Sequence, residues 1–253
     1  MKRIFLSTAL ALSLGTAATA QTADDLDQQA AQQVKNLKEE DALKTYQQVI
    51  VIQPDNLTAL IAIADLSCRI GSRQDPKKGK PMEFFTQGQD YASKALKVDS
   101  TSSLAHLVMA IALIKMATAE GGKHKAEALR DIKSYTDKAI ELDRNNFKAY
   151  YILGQWNIIV NGLSGTEKAA AKVFYGGSIP AGSLKEAIRC FEKCRSVNPS
   201  FIANYLDMAQ AYKADDQNEK ALAALTTLVH LPVQTEDDPA IKAEGRKMLD
   251  SMQ

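Results

Sequence analysis

YQQVIVIQP (Tyr46–Pro54), YASKALKVD (Tyr91–Asp99), YTDKAIELD (Tyr135–Asp143) and FEKCRSVNP (Phe191–Pro199) are four copies of one nine-residue phrase. Each opens on an aromatic ring and closes on Pro or Asp, and a weaker copy runs from Leu225 to Pro232. A helix-sized segment precedes every copy. A short polar turn follows, as at Asp55-Asn56 and Arg144-Asn145-Asn146. Successive starts lie 45, 44, 56 and 34 residues apart, so the chain is a repeat with inserts.

The shortest interval matches the tetratricopeptide repeat, whose period is about 34 residues and whose second helix carries small, aromatic, small and Pro positions. Ala42, Tyr46, Val49 and Pro54 keep that spacing, as do Ala187, Phe191, Cys194 and Pro199. Leu153-Gly154 matches the first helix of such a unit, and Tyr205, Met208, Ala209, Tyr212, Ala221 and Leu225 fill a complete one. Small residues let two antiparallel helices approach, the ring fills the space beside them, and Pro stops the second helix. The expected fold is all-α: a tetratricopeptide-like helical-hairpin solenoid of about five repeats. The units fall at about 23–56, 57–101, 102–145, 146–201 and 202–235, with a capping helix from Asp238 to Met252. Additions between the two helices of a unit are expected at Ser72–Pro81, Glu120–Ala126 and, in the fourth repeat, Asn161–Ser183.

Working outward, the 253 residues are 45% hydrophobic and 24% charged, ordinary for a folded chain and unlike a disordered or multi-spanning one. Thirty-one basic against 30 acidic residues leave no excess positive charge for a polyphosphate, which disfavours nucleic-acid binding. Lys2 and Arg3 precede an apolar run from Ile4 to about Ala18, and Ala18-Thr19-Ala20 supplies small residues before Gln21. This is the pattern of a cleaved signal peptide over 1–20, with the cut after Ala20. The expected product is one domain, 21–253, periplasmic or secreted, without an integral membrane segment.

Catalytic signals are absent from the pattern. No nucleophile elbow, zinc-binding His-Glu-x-x-His or phosphate loop occurs, so no enzyme and no cofactor are expected. His106, His124 and His230 sit in different units without ligand-like spacing, so no metal site is expected either. His106, alone among apolar neighbours, reads as a satisfied buried imidazole. Cys190 and Cys194 lie four apart on one helix, a spacing poorly suited to a disulfide, and Cys68 is distant. All three read as buried fillers.

Binding is the remaining class, and the first helix of each unit lines the concave groove. The Leu153-Gly154 register turns inward Thr58, Ile61, Asp65 and Cys68; Leu104, Leu107, Ile111 and Ile114; Lys148, Tyr151, Gln155 and Ile158; and Ala203, Leu206, Gln210 and Lys213. That set lacks a ladder of cations for an acidic tail. Its third-unit helix, in LAHLVMAIALI (Leu104–Ile114), is apolar nearly all round and must be buried on every side. Leaving those aliphatic side chains in water forgoes about 1.5–3 kcal/mol each. Two covers are open: the 161–183 insert, folding inward to bury Val173, Phe174 and Tyr175, or an apolar ligand such as a lipid chain or hydrophobic peptide helix. The candidate ligand-binding residues are Leu107, Ile111, Tyr151, Gln155 and, as a lid, Phe174. A protein or peptide is the expected partner, with a lipid or other apolar small molecule as the alternative.

Ala105-His106, Glu120-Gly121, Lys138 to Leu142, Leu153-Gly154-Gln155-Trp156, Phe174-Tyr175-Gly176-Gly177, Glu186-Ala187, Phe191-Glu192, Leu231-Pro232-Val233 and Thr235-Glu236-Asp237 carry a further likeness. Over residues 40 to 252 the chain resembles the regulator of microtubule dynamics family. The resemblance implies a tetratricopeptide-like fold without catalytic activity. Eukaryotic relatives are associated with microtubules and with membrane contact sites, where a tunnel in the helical domain is linked to phospholipid binding. An exported bacterial protein would not meet tubulin, so the feature expected to carry over is an enclosed apolar groove.

Overall fold

The computed structural model describes residues 22–176 and 180–252, except the side chains of Lys123, His124 and Tyr175. The signal peptide expected over 1–20 therefore lies outside the described residues, as do the His124 and Tyr175 side chains. The described residues form twelve helices and no strand. They pair as hairpins: α1 (22–35) with α2 (Glu39–Ile52), α3 (Leu57–Arg73) with α4 (Pro81–Val98), and α5 (Ser103–Glu120) with α6 (Gly122–Leu142). In the fourth, α7 (Phe147–Asn161) pairs with α9 (Leu184–Val197), and α8 (Gly165–Tyr175) is the insert between them. Finally α10 (Ile202–Ala214) pairs with α11 (Asn218–His230), and α12 (Asp238–Asp250) covers the open end.

The repeated phrase is the second helix of each hairpin, and its residues close the core. Ala42, Val49, Ala187, Phe191, Cys194, Ala221 and Leu225 are fully buried. Gly154 is required where it stands: a Cβ there would come within 2.4 Å of the Phe191 ring. The polar turn after each phrase starts the next helix. Asn56, Ser102 and Asn146 accept, through their side chains, the backbone N–H of Ala59, Ala105 and Ala149, satisfying a donor that a helix start leaves unpaired. Asp99 and Asp143 hold the turns themselves, accepting from the N–H groups of Thr101 and Asn145 at 2.8 Å.

α5 sits in the middle of the stack against α3, α4, α6 and α7. Ala105, Leu107, Val108, Met109, Ala110, Ile111, Ala112, Ile114 and Ala117 are all buried. The demand for burial on nearly every side is met by neighbouring helices, with Leu104 left exposed at the N-terminal end. At 18 residues α5 is long and apolar enough to cross a membrane by length and composition, but its surroundings are those of a core helix.

Two expectations change, the inward insert and the buried His106. The insert does not fold inward over α5. α8 lies on α6, its Ala170 and Ala171 permitting close approach, with Lys125 pairing Glu167 at 2.7 Å and Arg130 donating to the Phe174 carbonyl at 3.1 Å. Val173 is 77% exposed, so it buries nothing. The addition expected at 120–126 is taken up mostly as helix: a turn through Gly121 and Gly122, at φ 68° and 51°, joins α5 to α6. His106 is only half-buried: its Nε2 lies 2.9 Å from the Ser100 carbonyl, its ring stacks on Tyr135, and its Nδ1 has no partner.

The cysteines are buried and free, and burial pushes the thiols of Cys68 and Cys194 up to about 12 and that of Cys190 to about 11. All three should stay unreactive to a maleimide at pH 8 in the native protein and label fully in denaturant, as mass spectrometry would show. Leu107→Glu should cost at least about 3 kcal/mol in a denaturant titration, since it buries a charge with no partner; an unchanged midpoint would contradict the packing of α5.

Candidate functional site

The concave face is built from the first helices of units two to five, α3, α5, α7 and α10, and among the described residues two cavities lie along it. The larger, a cleft of about 670 Å³, is walled by Ile114, Ile158, Ile159, Leu184, Phe191, Ala211 and Ala214, with Lys115, Thr118, Gln155, Asp207 and Gln210 as its polar points. The smaller, about 450 Å³, lies nearer the N-terminal ends of α3, α5 and α7 and includes Ile61, Asp65, Leu104, Leu107, Phe147 and Lys148.

A polar bridge lies beside the larger cleft. The Gln155 side-chain amide donates to the Tyr151 hydroxyl at 2.8 Å and to Asp207 Oδ2 at 2.9 Å, linking the two. Burial raises the Asp207 carboxyl above its usual range, although Gln155 and Tyr151 pull the other way. Burial likewise drives the Tyr151 hydroxyl well up, reinforced by Asp207. In the smaller cavity the balance is reversed. Burial would raise Asp65, but Lys148, 3.2 Å away, together with Arg69 and Lys115 holds it below the ordinary carboxylate value.

Of the residues expected at the site, Gln155 lines the larger cleft and Tyr151 is hydrogen-bonded to it. Leu107 lines the smaller cavity, and Ile111 is packed in the core beside Trp156 and Ile152. Phe174, expected as a lid, is on the insert over α6 and lines neither cavity. Cys68 faces the second helix of its own hairpin, where its sulfur would meet a Cβ at Gly88. Lys115, Thr118 and Asp207 were missed. They adjoin or extend the marked positions Ile114 and Leu206, and the groove takes a stripe wider than one residue per turn. The chemistry available is recognition by shape, apolar contact and a few hydrogen bonds, with cations and carboxylates in near balance.

Helical hairpins stacked around a concave cleft define a tetratricopeptide-like repeat protein. Solved structures agree on the fold: a tetratricopeptide-repeat protein of Thermus thermophilus superposes with a TM-score of 0.64 at 11% identity, covering 89% of this chain and 99% of that one. PilF of Pseudomonas aeruginosa gives 0.53 at 14% identity over 93% and 90%. The model of regulator of microtubule dynamics protein 1-3 matches residues 21–253, and the chain belongs to that family. Regulator of microtubule dynamics protein 1 of Mus musculus is 32% identical over 163 residues, 63% of this chain and 52% of the mouse protein. The Caenorhabditis elegans protein 1 is 25% identical, over 66% of this chain and 74% of its own length. Rattus norvegicus protein 3 is 26% identical over 66% and 36%. The chain thus aligns with about half of the mouse relative and a smaller share of the rat one.

Because Asp207 has its carboxyl raised in the folded state, its ionisation opposes folding: that contribution to stability falls as pH rises from below 3.8 through the raised value. Asp207→Asn keeps an oxygen for Gln155 and removes the charge. The variant should unfold at pH 7 at a temperature no lower than the parent, with a flatter pH dependence above the ordinary carboxylate value of 3.8; a loss of several degrees would contradict this balance.

Proposed function

We propose that this chain is an exported, non-catalytic binding scaffold that holds an apolar segment of a protein partner in the larger concave cleft. The observation that carries this is the cleft itself. Its volume falls within the range of about 300–1,000 Å³ typical of ligand sites, its walls are aliphatic, and its polar points are few and convergent. The tetratricopeptide-like fold and the family support a helical-repeat interaction scaffold in general terms. The partner's side of the contact should be an apolar anchor flanked by groups able to bond Gln155, Gln210 and Lys115. Export rests on the signal-peptide pattern of residues 1–20, and amino-terminal sequencing of the protein from cell envelopes should begin at Gln21.

A second reading, a carrier of a lipid or other apolar small molecule, draws on the same aliphatic walls. A photo-crosslinking amino acid at Ile158, which is 39% exposed in the cleft, separates the two in living cells. The scaffold reading expects a protein adduct from position 158, none from position 173 on the insert, and at least about tenfold weaker partner binding in Ile158→Glu. Native mass spectrometry showing a stoichiometric lipid-sized mass, with no protein adduct at 158, would replace the scaffold by the carrier.

A further inference from the structure

Packing in this molecule runs mostly from neighbour to neighbour, as in any solenoid; Lys148 reaches Asp65 across one unit, and a second charged contact spans much further. The segment between α11 and α12 reaches back to the second and third helices. Asp237 bonds Arg73 Nη1 at 2.9 Å and Arg69 Nε at 3.3 Å, and Glu236 lies 3.3 Å from Arg73 Nη2. Glu39 and Glu236 exchange bonds: the Glu39 N–H donates to the Glu236 carboxylate at 2.7 Å, and the Glu236 N–H donates to the Glu39 carboxylate at 3.3 Å. These partners are 164 to 197 residues apart in sequence. The segment is held in shape from its own end, because the Asp238 carboxylate accepts the N–H groups of Gln234 and Thr235 at 2.7 and 2.8 Å.

We propose that residues 231–237 form a clasp that joins the last unit to the first two, and that its release governs entry to the concave cleft. Two features suit it to opening. The side chain of Glu39 is fully buried, but Arg69 and Arg73 both pair with it independently of the clasp. Letting go of Glu236 and Asp237 therefore strands no buried charge, the event that makes breaking an interior ion pair costly. The clasp's own acids are about a quarter exposed, so water reaches each pair and high salt weakens it in part. The clasp also leads straight into α12, whose Glu244 accepts a hydrogen bond at 3.2 Å from Gln210 on the cleft lining. Freeing the clasp would loosen α12 and with it this bond to the cleft lining.

The access role rests on the cleft being the binding site, and the test separates the two. The double variant Glu236→Gln, Asp237→Asn in the full chain keeps shape and removes charge, and it spares Arg69 and Arg73, whose loss would orphan Glu39. Amide exchange at Glu39, Glu236 and the start of α12 should quicken about tenfold, with α5 and α7 unchanged. Stopped-flow uptake of Nile red, an uncharged apolar dye, should quicken to a similar degree at an unchanged final signal, and about 1 M NaCl should move the parent protein the same way. Unchanged exchange would overturn the clasp, and faster exchange with an unchanged rate of uptake would overturn its control of entry. Ile158→Glu should abolish the dye signal; if it does not, the cleft assignment fails, and control of entry with it, while the clasp still stands or falls on exchange alone.

Discussion

The structure depends on hiding α5. A helix whose nine buried residues point in nearly every direction has no solvent face to offer, so it has to be placed centrally and wrapped by other helices. No hairpin of this chain can do that alone. α3 and α4 arrive from one side and α6 and α7 from the other, and the core exists only once they are stacked. At the concave surface the C-terminal end of α5 supplies Ile114, Lys115 and Thr118 to one wall of the larger cleft, and its N-terminal end supplies Leu104 and Leu107 to the smaller cavity.

Much of this was legible in the residues because each sign has a local cause. The nine-residue phrase marks the second helix of each hairpin through one ring, two small residues and a stop. The polar turn after it doubles as a helix cap, so the hairpin boundaries at Asn56, Ser102 and Asn146 could be read directly. Tyr151 and Gln155 followed from the Leu153-Gly154 register. The insert was misjudged because its apolar Val173 and Phe174 suggested burial, whereas a pair of alanines and the Lys125–Glu167 ion pair dock α8 on α6. Nothing local announces which of two surfaces an insert will choose. Asp207 and Lys115 escaped for a related reason: each sits beside the marked stripe, and only the curvature of the stack turns it into the groove.

The groove is chemically restrained. Asp65 answers Lys148, while burial raises the Asp207 carboxyl and Gln155 donates to it. Such a surface is suited to shape and apolar fit more than to charge. The strongest charges nearby are spent on holding the molecule together, at the cluster of Arg69, Arg73, Glu39, Glu236 and Asp237. Thr235-Glu236-Asp237 stood out in the sequence only as part of a family likeness. In the fold it is the place where the last unit touches the first two.

The central claim is that α5 is enclosed by its own neighbouring helices, leaving the concave cleft free for a partner. Replacing residues 164–182 with a short Gly-Ser linker and following amide exchange along Leu107–Ala117 tests it most directly. The account predicts that α5 stays as protected as in the intact protein while α6 loosens where α8 had covered it. Exchange in α5 rising together with that in α6 would mean that the insert is the true cover, and the cleft as described would not stand.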